Sequence, residues 1–292
     1  MELVKKFEAV VTPDTAQRVY CSVTEEILSF ELLKFKDGTI RVSCLNLDKL
    51  NNQRYLKVGA YVESLDDLMV CAQILDIVKR NIPTIISTLS ITSPIYSRYD
   101  RVMLDDKSDS FAAKVFSSFV DSCDYDIVEY LDCHSNVLVG LTRNSFDREQ
   151  KFCVSSVLDA DMYNIVAPDK GAIKKNPKAN LVFDKRRELS TGKILGIELI
   201  NENEVDTCKE FLVVDDLCEG GGTFLGLITV FEKHFPTSKI NLYVTHGLFT
   251  NNAIEKLLVK YSKIFVYIMK KDVYDQLTTE QQHNLVVKYL VK

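Results

Sequence analysis

The chain has 292 residues, 46% hydrophobic and 26% charged, enough to bury a sizeable core without disulfide or metal staples and long enough to predict two domains. Its 41 acidic and 36 basic residues leave a net charge of −5, which argues against broad surfaces for nucleic acid or an anionic membrane. No stretch approaches the roughly 20 apolar residues of a membrane-spanning helix. From the start of the chain, Met1 to Glu8 carries acids where a secretion signal has none, and no apolar run follows, so a cytoplasmic location is expected. Residues 64–79 predict an amphipathic helix, with apolar positions at 65, 68, 69, 72, 75 and 78 and Ser64 as N-cap. Short β-rich runs that close on polar residues follow at 84–90, 126–132, 163–169, 180–184, 211–215 and 240–246, and a further helix begins near Asn252.

Strands alternating with helices predict an α/β chain of two halves, each a mainly parallel sheet flanked by helices. The boundary is expected between 142 and 160. This gives an N-terminal domain over 1–142 and a C-terminal domain over 143–292, with the last helix packing back on the first domain. The eight cysteines include no C-x-x-C pair and mostly sit in apolar runs, as Cys44 and Cys71 do. They read as free buried thiols of a reducing compartment.

Ligands of open parallel sheets bind beyond the carboxyl ends of the strands, so the residues that close each run carry the functional information. The strongest local signal is 211–224, where an apolar strand delivers Asp215 and Asp216 and a glycine-rich turn, Glu219-Gly220-Gly221-Gly222-Thr223, opens a helix. Backbone N–H groups of such a turn, together with a helix N-terminus, surround a phosphate. Acids at the preceding strand end accept hydrogen bonds from sugar hydroxyls. The competing reading is a tight strand-to-helix turn whose glycines serve geometry alone.

This segment resembles the phosphoribosyl-diphosphate loop shared by type I phosphoribosyltransferases and phosphoribosyl pyrophosphate synthases. The usual form is Asp-Thr-x-Gly-Thr, so Gly220 leaves one side-chain hydroxyl missing. Further segments are similar to the synthases and fall in family order. Phe35-Lys-Asp37-Gly-Thr39 resembles a Phe-x-Asp-Gly-Glu segment that supports the adenine of ATP, with Thr39 in place of glutamate. Pro94-Ile-Tyr96-Ser-Arg98-Tyr99-Asp100-Arg101 resembles a nucleotide-binding stretch, with Tyr99 in place of glutamine. Asp132-Cys-His134-Ser135 is similar to an Asp-Leu-His-Ser strand end, where Asp132 and His134, spaced i, i+2 on a strand, point the same way. Pro168-Asp169-Lys-Gly171 and the 245–255 segment around Thr245-His246-Gly247 also match, and Asp184-Lys185-Arg186-Arg187 resembles the Lys-x-Arg start of a flexible catalytic loop.

The resemblance implies two tandem phosphoribosyltransferase-like domains and a ribose-phosphate pyrophosphokinase activity. In that scheme Lys185 and Arg187 are catalytic, while Phe35, Asp37, Thr39, Arg98 and Tyr99 bind ATP. Asp215, Asp216, Glu219, Gly220, Gly221, Gly222 and Thr223 hold ribose 5-phosphate, and His134 and Asp169 support Mg²⁺. It also implies a homo-oligomer, dimer or hexamer. Two rival readings are a phosphoribosyltransferase that consumes the diphosphate and a catalytically silent regulatory homologue of a synthase.

Overall fold

The structure is a computed structural model that describes residues 1–12, 26–102, 108–187 and 194–291. They divide into two compact units, one formed by residues 5–148 and the other by residues 1–4 with 149–292. The chain opens with a short strand, β1 (Glu2–Val4), that belongs to the second unit.

In chain order the N-terminal unit holds β2 (Phe7–Thr12), β3 (Glu26–Leu28), β4 (Phe30–Lys34), β5 (Ile40–Cys44), β6 (Tyr55–Ala60), α1 (Leu65–Asn81), β7 (Ile86–Ile91), α2 (Ala112–Ser122), β8 (Ile127–Leu131), α3 (Val137–Leu141) and β9 (Ser145–Arg148). Its main sheet has the order β3-β2-β6-β7-β8-β9. The pairs from β6 to β9 are parallel, and β2 joins β3 and β6 antiparallel. β4 and β5 form a separate antiparallel hairpin. The unit's core joins Leu56 and Val58 of β6 and Leu89 and Ile91 of β7 to α1 and α2, where Cys71, Ile74, Val78, Phe116 and Val120 are almost completely buried.

α1 begins where the sequence predicts, with a capping box in which Ser64 and Asp67 serve each other's backbone. Its buried stripe is shifted from the predicted one, however. Leu68, Cys71, Ile74, Leu75 and Val78 are buried, whereas Leu65 and Met69 are exposed. Period alone fixes that a face exists; which residues fill it depends on the sheet beneath.

The C-terminal unit continues with α4 (Gln150–Ser155), β10 (Tyr163–Ala167), α5 (Lys170–Ile173), β11 (Leu181–Arg187), β12 (Ile194–Glu202), β13 (Glu210–Cys218), α6 (Gly222–His234), β14 (Ile240–Gly247), α7 (Ala253–Leu258), β15 (Ile264–Lys270), α8 (Lys271–Asp275), α9 (Thr279–His283) and β16 (Leu285–Val291). Its sheet has the order β1-β16-β15-β14-β13-β10-β11-β12. Every pair is parallel except β11 with β12. The central strands are apolar throughout: all eight residues of β14 are buried, as befits a strand covered on both faces. Phe211, Val213, Leu242, Val244 and Val266 pack with Phe224, Leu227, Phe231 and Leu257 of α6 and α7.

The division falls between Arg148 and Glu149, inside the expected 142–160 interval and beyond Thr142 because residues 145–148 add β9 to the edge of β8. The last element is a strand, β16, which lies inside the C-terminal sheet between β1 and β15. Among the described residues no helix is long and apolar enough to cross a membrane.

Candidate active site

The C-terminal unit gathers its predicted residues at one sheet edge. β13, β10 and β11 are neighbouring parallel strands, so their carboxyl ends share that edge. Asp215 and Asp216 come from the end of β13, Asp169 follows β10, and Lys185 lies near the end of β11. Adjacent residues on a strand face opposite sides, and the contacts of β11 follow this rule. Lys185 Nζ pairs with Asp169, and Asp184 accepts from Lys170 Nζ at 2.6 Å. Asp169 also caps α5, accepting the Ala172 N–H at 2.9 Å. Burial works against the Asp169 charge, but Lys185 and the backbone N–H groups of Ala172 and Gly171 hold the carboxyl below the usual range.

Asp215 behaves in the opposite way. Burial, the neighbouring Asp216 and the charge of Asp169 push it well above the ordinary carboxylate value, against the opposing pull of Lys185. The Asp216 N–H donates to Asp215 Oδ1 at 3.0 Å, and the two carboxyls together retain a proton more readily than a lone aspartate would. Four predicted residues therefore share one electrostatic environment, in which Lys185 acts on both Asp169 and Asp215 beside Asp216.

The glycine turn adjoins them. Gly221 is the N-cap of α6 with φ of +72°, a left-handed conformation that favours glycine. A Cβ there would stand 3.3 Å from both Ala253 Cβ and Leu257 Cδ1 of α7. Gly220 has no such requirement: its φ is unexceptional and a Cβ would meet nothing within 4 Å. The turn is braced from behind, because Cys218 C=O accepts from Leu248 and Phe249 N–H and Glu219 C=O accepts from Thr250 N–H. Glu219, Gly220 and Gly222 are exposed, and Thr223 is half-buried. The first N–H groups of the 13-residue α6 have no partner within the helix and open toward this turn. Cys218, at the start of the loop, is fully buried, and burial pushes its thiol far up. It is a core residue. Arg187 is the final residue of β11, and its side chain lies outside the described residues, as does Cys21.

In the N-terminal unit the predicted residues stand in two places. The first is the tip of the β4–β5 hairpin, where Phe35 N–H donates to Thr39 C=O at 2.8 Å and Gly38 takes φ of +91°. Phe35 is 46% exposed. Asp37 accepts from both the N–H (3.0 Å) and the hydroxyl (2.7 Å) of Thr39, and these bonds lower its carboxyl. Thr39, which departs from the glutamate of the resemblance, thus serves the turn itself.

The second place is the shared carboxyl edge of β7 and β8. Arg98 and Tyr99 are exposed there, and Tyr99 C=O accepts from the Ala113 N–H at the start of α2. Asp100 and Arg101 were legible in the same motif without being assigned a role. Arg101 Nε donates to Asp100 Oδ1 at 2.9 Å. Burial opposes the Asp100 charge, yet Arg101 and the nearby His134 hold its carboxyl down. The strand reading of Asp132 and His134 is corrected: β8 stops at Leu131, Asp132 turns into a left-handed conformation with φ of +43° and is buried, and His134 is exposed. Alternation ends with the strand, so the two side chains do not share a face.

Among the described residues no three His, Cys, Asp or Glu side chains stand ready to hold a metal ion. The donor set fits Mg²⁺ in a different manner. A hard cation that keeps its waters and substrate phosphates needs only one or two carboxylates from the protein, and Asp169 with the Asp215–Asp216 pair offers oxygen donors of that kind.

The C-terminal unit is thus a mainly parallel α/β sheet with paired acids and a glycine turn at its carboxyl edge. No protein-family model matches the chain. It is 28% identical over 244 residues to the ribose-phosphate pyrophosphokinase of Ureaplasma parvum, covering 78% of this chain and 70% of that one. With the Vibrio vulnificus ribose-phosphate pyrophosphokinase identity is 25% over 276 residues, covering 87% and 82%. With that of Hyphomonas neptunium it is 24% over 214 residues, and the match spans 66% of this chain and 63% of the relative's length. The crystal structure of phosphoribosylpyrophosphate synthetase from Mycobacterium smegmatis superposes with a TM-score of 0.65 at 16% identity, covering 90% of this chain and 87% of the other. Over most of its length the chain is thus similar to proteins named ribose-phosphate pyrophosphokinase.

Proposed function

We propose that the protein transfers the β,γ-diphosphoryl group of ATP to the C1 hydroxyl of ribose 5-phosphate, giving phosphoribosyl pyrophosphate and AMP. A bond forms between the C1 oxygen and the β-phosphorus, the α,β-bridging P–O bond breaks with its electrons leaving on AMP, and the hydroxyl proton is released. The observation that carries this reading is the cluster of Lys185, Asp169, Asp215 and Asp216 beside the Glu219–Thr223 turn. Phosphoryl chemistry of this type depends on positioning and charge stabilisation more than on covalent help.

In this reading the turn and the α6 N-terminus hold the 5-phosphate, and Asp215 and Asp216 accept the ribose hydroxyls. Lys185, paired with Asp169, moves onto the transferring phosphoryl oxygens, and Arg187 acts beside it. Phe35, Asp37, Arg98 and Tyr99 hold the nucleotide, with Thr39 setting the turn that carries Asp37. Asp169, with the Asp215–Asp216 pair, would hold Mg²⁺, which would supply neutralisation of the polyphosphate charge. Assembly of several copies and a cytoplasmic location belong to the same reading. The rival reading, a silent regulatory homologue, draws its support from Asp37, whose carboxylate is already engaged by Thr39.

Replacement of Lys185 separates the two. Lys185→Ala is expected to cost roughly 10³-fold or more in turnover, measured as AMP formed from Mg-ATP and ribose 5-phosphate. A variant with near-normal turnover contradicts the assignment.

A further inference from the structure

We infer that Gln73 is a positioning residue for the nucleotide, because its side-chain amide pins the β4–β5 hairpin to α1 and so fixes where Phe35 and Asp37 stand. This rests on the nucleotide role proposed above for the hairpin tip. A two-stranded hairpin alone is marginal in water, and β4 contributes little packing of its own: Leu32 and Leu33 are both more than 40% exposed. The hairpin is held through β5, where Val42 is buried in the core that includes α1.

The backbone of β5 explains how. Residues two apart on a strand aim their N–H and C=O groups at the same edge, and the antiparallel ladder alternates between bonded and non-bonded pairs. Phe35 and Thr39 close the turn with a bonded pair, so Leu33 with Arg41 and Glu31 with Ser43 continue the bonded set. Ile40 and Val42 therefore aim their backbone groups away from β4, at an edge with no further strand among the described residues. Gln73 meets both. Val42 N–H donates to Gln73 Oε1 at 3.1 Å, and Gln73 Nε2 donates to Ile40 C=O at 2.9 Å. A primary amide carries the donor and the acceptor that this edge requires, and it stands in for a neighbouring strand. Asn46 repeats the device at the hairpin base, accepting from Ser29 N–H at 2.8 Å and donating to Ile27 C=O at 3.0 Å. No charge or metal chemistry attaches to Gln73; its two bonds go to backbone that carries the tip.

The test combines hydrogen exchange with nucleotide affinity on the full chain, using Gln73→Ala and Gln73→Glu. The glutamate keeps the acceptor for Val42 N–H but loses the donor to Ile40 C=O. Both variants are expected to speed amide exchange in 30–44 while α1 and β6 to β8 exchange as in the wild type. Gln73→Ala is expected to raise the Mg-ATP dissociation constant about tenfold, leave the KM for ribose 5-phosphate unchanged, and add less than a twofold effect in a Phe35→Ala background. Unchanged hairpin exchange overturns the inference, as does faster exchange with Mg-ATP affinity within twofold of the wild type. Wild-type protein that fails to bind millimolar Mg-ATP overturns the nucleotide reading and the positioning role with it. That result is distinguishable from the other two because in those the wild type binds.

Discussion

Gly220 and Gly221 are neighbours in one turn, yet they have different physical reasons to be glycine. At Gly221 a side chain meets both a left-handed backbone and the α7 residues Ala253 and Leu257. Gly221→Ala should therefore lower stability by about 1–2 kcal/mol, seen as an earlier urea transition. At Gly220 neither constraint exists, so Gly220→Thr should fold as the parent does and return the hydroxyl donor that the resemblance expects. Its KM for ribose 5-phosphate should fall about fivefold to tenfold; an unchanged KM means that backbone groups alone already satisfy the phosphate. Thiol chemistry offers a separate check at this scale. Cys208 is exposed and Cys218 is buried with its thiol pushed up. A thiol-specific reagent should label Cys208 rapidly in the native protein and Cys218 only after unfolding, as read by peptide mass mapping.

The elements show where sequence patterns stop carrying information. Runs such as 211–215 and 240–246 were legible because β-branched residues end abruptly in polar ones. The closing segment Leu285–Val291 is a strand that no sequence pattern singles out; a short apolar run fits either period, and the sheet position between β1 and β15 decides it. Asp132 and His134 were misplaced for a related reason, since alternation predicts facing only while the strand lasts. The amide clamps of Gln73 and Asn46 left no trace in the sequence, because hydrogen bonds to distant backbone have no periodicity.

A buried ionic link between strands escaped in the same way. Glu129 on β8 accepts from Lys57 Nζ at 2.8 Å and from Arg148 Nε of β9. Burial opposes its charge, but Arg148 and Lys57 prevail and lower the carboxyl. Because the native value lies below the unfolded one, this stabilisation is complete above about pH 4.3 and is lost as pH falls through the native value. Glu129→Gln should cost about 1–3 kcal/mol at pH 7, with Lys57 half-exposed and able to recover water. The gap to the wild type in urea unfolding should narrow below pH 4.3. A gap constant from pH 7 to pH 3 contradicts the ionic account.

At the scale of the whole molecule, two mainly parallel sheets were legible from strand–helix alternation, and the carboxyl edge of the second gathers Lys185, Asp169, Asp215 and Asp216 from segments up to 47 positions apart in the sequence. What the sequence did not reveal is the path of the chain's first residues: β1 lies beside β16 in the C-terminal sheet, a long-range pairing that no local pattern announces. The functional account rests on that gathered edge, and the identity of the nucleotide product tests it most directly. Incubation with Mg-ATP and ribose 5-phosphate, followed by phosphorus NMR, should show AMP and phosphoribosyl pyrophosphate appearing in equal amounts and only when the sugar phosphate is present. Formation of ADP in place of AMP, or no nucleotide product that depends on ribose 5-phosphate, would contradict it.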